Sequence, residues 1–131
     1  MKFPKVAVKR SFAGLGLFAA EDIKKGQQII EYTGKRLPTA VADKRGGKYL
    51  FVLTDDIVID GKEHKNISRY INHACKPNAE AVNHGNKKII IEAIRTIKAG
   101  EEITYDYGKE YWHEHCQPCR CATCVAKRAT A

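Results

Sequence analysis

The sequence predicts a mostly β domain made of several small sheets with few short helices. Three observations carry that expectation. The apolar segments are short and rich in β-branched residues, which suit a pleated, half-buried surface. Turn-forming residues separate them at close intervals. Only two short stretches read as helix, so the layers must be built from strands.

In chain order, residues 6–8, 27–32, 49–53, 57–59, 79–82 and 88–94 read as strands. The turn signals between them are Gly14-Leu15-Gly16, Lys25-Gly26, Gly46-Gly47, Asp60-Gly61, His84-Gly85-Asn86 and Ala99-Gly100. Residues 38–44 read as a helix, with a proline near its start where the missing N–H costs nothing. Residues 66–72 read as a further short helical turn. The last sixteen residues, from Cys116, are cysteine-rich and could not pack alone without a staple. The chain is therefore divided into a main domain, 1–110, and a tail, 111–131.

At 131 residues the chain is large enough to bury a core. Hydrophobic residues at 44% and charged residues at 29% fit a folded, soluble domain and exclude a disordered one. No apolar run approaches the roughly 20 residues that span a bilayer; Ile89-Ile90-Ile91 is closed off by Glu92. The N-terminal residues lack the apolar stretch of a secretory signal, which sets the cytoplasm as the expected location. A host nucleus would follow only from an export signal of another kind. The net charge of +8 favours polyanions and makes nucleic acid an accessory contact. The basic pairs, such as Lys87-Lys88, are short enough to be ordinary solvated surface.

Of the five cysteines, four (Cys116, Cys119, Cys121 and Cys124) fall within nine residues. An odd count without a secretory signal argues against a disulfide framework, and the crowding argues for a metal.

Three segments carry chemistry. Arg69-Tyr70-Ile71-Asn72-His73-Ala74-Cys75-Lys76-Pro77-Asn78 packs amides, an imidazole and a thiol into ten positions, a set suited to a polar ligand. Alone, it reads better as a buried turn whose amides satisfy local backbone. Glu101-Glu102-Ile103-Thr104-Tyr105-Asp106-Tyr107-Gly108 places two tyrosines at i and i+2, on one face of a regular strand. Gly14-Leu15-Gly16 marks a tight turn or a close approach to the backbone.

Together and in this order, the GxG turn, the NHxCxPN box and the YDYG box resemble the SET family of lysine methyltransferases. Tyr32-Thr33-Gly34 and Tyr49-Leu50-Phe51 also fall where that family carries tyrosines, and the resemblance runs from about Val6 to Gly108. It implies a fold of small β-sheets with a pseudoknot, in which the NHxCxPN segment passes under a loop that follows the YDY box. That would be an exception to the rule against threaded connections. It brings residues 69–78 beside residues 103–108.

The implied reaction is methyl transfer from S-adenosylmethionine to a lysine nitrogen of a protein. The lysine must be neutral, the donor and acceptor must be aligned, and water must be kept out. By resemblance, Gly14, Leu15 and Gly16 hold the cofactor by close backbone contact. Asn72 holds it through its amide and His73 largely through its backbone, with no role for His73 as a general base. Tyr107 is the implied catalytic tyrosine, and Tyr32 and Tyr49 form walls of the lysine channel. Tyr105 stands where tyrosine accompanies mono-methylation in the family. Trp112 either stacks on the adenine or packs the tail onto the body.

The tail resembles the family's zinc site, which implies Cys75, Cys119, Cys121 and Cys124 as a tetrahedral set. The spacing departs from the family's C-x-C-x4-C, being C-x-C-x2-C here, so Cys116 could replace one of the others. Ala74 stands where the family commonly has serine.

The implied partner is a lysine-bearing protein, either a histone tail or a bacterial basic protein, with the chain a monomer or a homodimer. Asp55, Asp56, Glu63, Glu101 and Glu102 are the acidic residues available to a basic substrate. The rival readings are a zinc-stabilised nucleic-acid-binding module and a SET-like interaction protein without catalysis. The first leaves the tyrosines and the NHxCxPN box unexplained; the second is opposed by the retention of Asn72 and Tyr107.

Overall fold

Strand β1 (Val6–Ser11) and strand β2 (Gly14–Ala19) form an antiparallel hairpin that closes between Ser11 and Gly14. The computed structural model describes residues 3–12, 14–46 and 49–106, and all that follows concerns these. The remaining strands are β3 (Gln28–Tyr32), β4 (Lys35–Pro38), β5 (Leu50–Val52), β6 (Ile57–Asp60), β7 (Asn72–His73), β8 (Ala79–His84), β9 (Lys88–Ala93) and β10 (Glu102–Tyr105). One helix, α1 (Thr39–Arg45), follows Pro38, and a 3-10 turn spans Ile67–Tyr70.

The strands form three small sheets, ordered β1-β2-β10-β7, β3-β9-β8 and β4-β6-β5. The mostly β expectation is met: the first two sheets share the main core, while the third packs Leu37 and Val58 against Ala42 of α1 and sets Ile59 against Tyr32 and Ile89. The main core joins Leu17, Ile23, Ile29, Ile71, Ile91, Ile97 and Ile103, all at most 1% exposed. Ile89, Ile90 and Ile91 are all buried because β9 is the central strand of its sheet and is covered on both faces. That is why they read as a continuous apolar run rather than an alternating one. Among the described residues no helix is long and apolar enough to cross a membrane.

Two expectations are corrected. Gly14-Leu15-Gly16 is not a turn but the first half of β2; only Gly14, at φ +102, takes a backbone conformation that side chains disfavour. Residues 66–72 are not one helical turn. The 3-10 turn stops at Tyr70, and Asn72 and His73 leave it as strand β7, drawn into parallel pairing with β10. Non-local pairing there outweighs local propensity. The register Thr104↔Asn72 and Tyr105↔His73 sets residues 69–78 beside residues 103–106, as the knotted arrangement requires. The loop expected to enclose them follows Asp106 and lies outside the described residues.

Candidate functional site

The 3-10 turn, β7 and β10 converge on a cavity of about 630 Å³ whose wall includes Leu15, Tyr32, Tyr49, Phe51, Asn72 and Tyr105. That size is typical of small-ligand sites. One side of it is aromatic. The Tyr32 and Phe51 rings lie 5.1 Å apart, and Phe51 lies 6.4 Å from Tyr105. Tyr32 is buried, and its hydroxyl donates to the Tyr49 carbonyl at 2.8 Å, which fixes the strand bearing Phe51 against β3.

Arg69, also in the wall, stacks its guanidinium 4.3 Å over the Tyr49 ring and 5.4 Å from that of Tyr70. It donates to the Lys62 carbonyl. A side-chain hydrogen bond with Tyr49 raises its pKa against the opposing effect of desolvation. It is a fixed cation on the cavity wall.

The polar end of the cavity is organised by Asn72. Its Nδ2 donates to the Leu15 carbonyl at 3.1 Å and to Glu102 Oε2 at 2.7 Å. Glu102 Oε1 accepts from the Ser11 hydroxyl at 2.6 Å. Glu102 sits opposite Phe18 across the β10–β2 pairing and so lies diagonal to Gly16. A Cβ on Gly16 would stand 2.3 Å from Glu102 Oε2. The second glycine of Gly14-Leu15-Gly16 is therefore the space the carboxylate occupies.

S-adenosylmethionine, expected from the motifs, carries an ammonium, a sulfonium and a flat base. The cavity meets these with an amide oxygen on Asn72 and with aromatic faces, which favour a cation. The residues present fit the group.

Asn78, 2% exposed, donates to the Glu102 carbonyl at 2.7 Å and accepts from the Thr104 N–H at 2.9 Å. Its side chain thus acts as a strand partner for β10. Asn66, equally buried, does the same between the Thr33 N–H (3.0 Å) and the Gly61 carbonyl (3.0 Å).

His73 is 8% exposed. Burial pushes its imidazole below the ordinary histidine value, and the Asp106 carboxylate, 3.7 Å from Nδ1, opposes that. Its Nε2 lies 3.7 Å from Cys75 Sγ. Among the described residues no group of three or more His, Cys, Asp and Glu could hold a metal. Cys75 is exposed, and Cys116, Cys119, Cys121 and Cys124 lie outside the described residues, as do Tyr107 and Trp112.

Of the residues singled out from sequence, Tyr32, Tyr49, Tyr105, Leu15 and Asn72 meet at one cavity. Gly14, Gly16 and His73 are not part of its wall. The acidic residues do not form one groove. Glu63 pairs with Lys65 and Glu101 with Arg95, and Glu102 is clamped by Ser11 and Asn72. The acids on the cavity wall are instead Glu80 and Asp106. Sequence reasoning passed over Arg69 and Asn78, both inside the quoted segment 69–78, and Asn66, just before it.

Residues 14–108 match the family model of the SET domain. The chain is 44% identical over 105 residues to the Schizosaccharomyces pombe histone-lysine N-methyltransferase, H3 lysine-4 specific, covering 71% of this chain and 11% of that one. It is 47% identical over 104 residues to the Dictyostelium discoideum histone-lysine N-methyltransferase set1, covering 70% and 7%. In structure it is similar to a chain of an active polycomb repressive complex 2 in the stimulated state, with TM-score 0.76 and 35% identity. That match covers 82% of this chain and 16% of the other. The chain thus spans only a small fraction of the length of these relatives.

Proposed function

Because the chain belongs to the SET-domain family, we propose that it methylates a lysine side chain of a protein, with S-adenosylmethionine as donor. The observation that carries this reading is the meeting, in one cavity, of the Asn72 amide with the Tyr32, Tyr49, Phe51 and Tyr105 walls. When bound, the cofactor supplies an activated methyl group on a cationic sulfur.

The chain's own residues do the rest. Asn72 and the backbone around Leu15 orient the donor. Tyr32, Tyr49 and Phe51 line an aromatic slot that excludes water and fits the aliphatic stem of lysine. The Arg69 cation on the wall disfavours a second cation nearby, and so favours the neutral amine that the transfer needs. Tyr107 is assigned to orienting the transfer centre.

The finer readings rest on particular residues. Tyr105 narrows the slot and supports mono-methylation. A histone tail or another basic protein suits the acids Glu80 and Asp106 on the wall; the relatives carry the name histone-lysine N-methyltransferase. A zinc held by Cys75 with Cys119, Cys121 and Cys124, or with Cys116 in place of one, would staple the tail. That reading rests on the cysteine clustering.

The test is incubation of the purified chain with radiolabelled S-adenosylmethionine, using core histones and a cytosolic extract as substrate pools. Label on a discrete band, lost in Tyr107→Phe and in Asn72→Ala, is the expected result. Absence of label together with absence of cofactor binding sinks the reading. Metal analysis of the same preparations tests the zinc, which should fall in Cys75→Ser.

A further inference from the structure

The Asn72 amide has two ends, and the structure leaves one of them open. Both of its hydrogen bonds, to the Leu15 carbonyl and to Glu102 Oε2, are made by Nδ2. A backbone carbonyl and an ionised carboxylate only accept. Rotating the amide by half a turn would set Oδ1 against two acceptors and lose both bonds. The orientation is therefore dictated by chemistry. Oδ1 is left as the free end, with no hydrogen bond among the described residues, on a side chain that lines the cavity.

We propose that Glu102 is a positioning residue. By claiming Nδ2, it compels Asn72 to present a hydrogen-bond acceptor to the ligand, and so selects a ligand with a cationic ammonium at that point. The carboxylate is itself held from two sides. Ser11 donates to Oε1, and the missing side chain at Gly16 gives the carboxylate its room, since a Cβ there would lie 2.3 Å from Oε2. Ser11, Gly16, Asn72 and Glu102, drawn from β1, β2, β7 and β10, thus form one device that fixes the polarity of a single amide. Glu102 is not part of the cavity wall and acts only through Asn72.

The inference rests on the methyl-donor reading, because the ammonium it calls for is the α-amino group of the methionine portion of that cofactor. Glutamine at this position keeps the shape of Glu102 but can donate as well as accept. Asn72 would then be free to turn its amide either way.

The experiment is titration calorimetry of the full chain with S-adenosylhomocysteine and with its deamino analogue, which lacks only the α-amino group. The wild type should prefer the amine-bearing ligand by about tenfold to a hundredfold, the range of a charge-assisted hydrogen bond. Glu102→Gln should lose about tenfold of that preference while its affinity for the deamino analogue stays within about twofold. Equal weakening of both ligands would mean that Glu102 only supports the fold and would overturn the proposal, as would an undiminished preference. A wild type that binds both ligands equally overturns the inference alone. One that binds neither overturns the methyl-donor reading with it. Should Glu102→Gln fail to fold, Ser11→Ala decides: loosening the carboxylate should cut the preference by about two- to threefold, and an unchanged preference refutes the device.

Discussion

Asn78→Ala should destabilise the domain far more than a single polar substitution usually does. The Asn78 side chain is 2% exposed and makes two bonds to the backbone of β10, one at each end of its amide. Truncation removes both and leaves the Glu102 carbonyl and the Thr104 N–H without their partner. Each such group costs about 1–3 kcal/mol. Glu102 and Thr104 themselves are only half-buried, so water recovers part of the loss and the lower half of the range applies. The expected cost is about 3 kcal/mol, a large fraction of the roughly 5–15 kcal/mol that holds a domain together. At about 2.1 cal/mol/K per residue of unfolding entropy, a 131-residue chain should lose roughly 10 °C in melting temperature.

The assay is urea unfolding followed by circular dichroism, with Asn83→Ala as the internal control. Asn83, on β8, also bonds at both ends of its amide, Nδ2 donating to the Leu53 carbonyl at 2.6 Å and Oδ1 accepting from the Asn86 N–H at 2.8 Å, but it is exposed. It should cost less than about 1 kcal/mol. If the two variants lose equal stability, burial is not what makes the Asn78 amide matter, and the reasoning fails.

Three further outcomes are expected. Gly61→Ala places a Cβ 2.4 Å from Asn66 Nδ2 and 2.5 Å from the Tyr32 ring, so both must shift; a loss of about 2 kcal/mol in a thermal melt and slower methyl transfer should follow. Arg69→Met removes the cation stacked on Tyr49 and should lower kcat/KM about tenfold while cofactor affinity stays unchanged. Arg69→Lys should not restore it, because an ammonium does not stack as a planar guanidinium does, and steady-state kinetics with separate cofactor titration checks both. Tyr105→Phe removes a hydroxyl from a cavity-lining ring, and mass spectrometry of the methylated product should show a shift from mono- toward di-methyl lysine.

Much of the fold was legible because strands announce themselves by short β-branched runs. Ile89-Ile90-Ile91 and residues 57–59 are examples, each bounded by turn residues. Strand β2 was not, because two glycines in three residues look like a turn. Nothing local reveals that a carboxylate 86 positions after Gly16 occupies the place of its side chain. Strand β7 was missed for a related reason. Two residues cannot show a period, and Asn72-His73 becomes a strand only because β10 arrives beside it. The tyrosines at 32, 49 and 105 were found because an aromatic ring with a hydroxyl stands out among small apolar residues. The buried amides Asn66 and Asn78 were not, since asparagine in a sequence reads first as a turn residue.

The same asymmetry explains where the chemistry sits. An apolar residue tells of its own burial, because its side chain has no other good place to be. A polar residue tells nothing until its partner is known, and here every important partner is distant: Ser11 with Glu102, Asn72 with Leu15, Asn66 with Thr33. These pairs join segments that lie 33 to 91 positions apart in the chain and that the fold brings together. A buried amide between two backbone strands holds them at one spacing and one register, which an apolar contact would let slide. The domain uses amides where position matters most, around the Tyr32 wall and along β10, and leaves the isoleucines to supply bulk stability. Substitutions among those isoleucines should therefore lower the melting temperature with little change in cofactor preference, whereas substitutions at the half-buried joint of Ser11 with Glu102 should alter that preference before they unfold the chain.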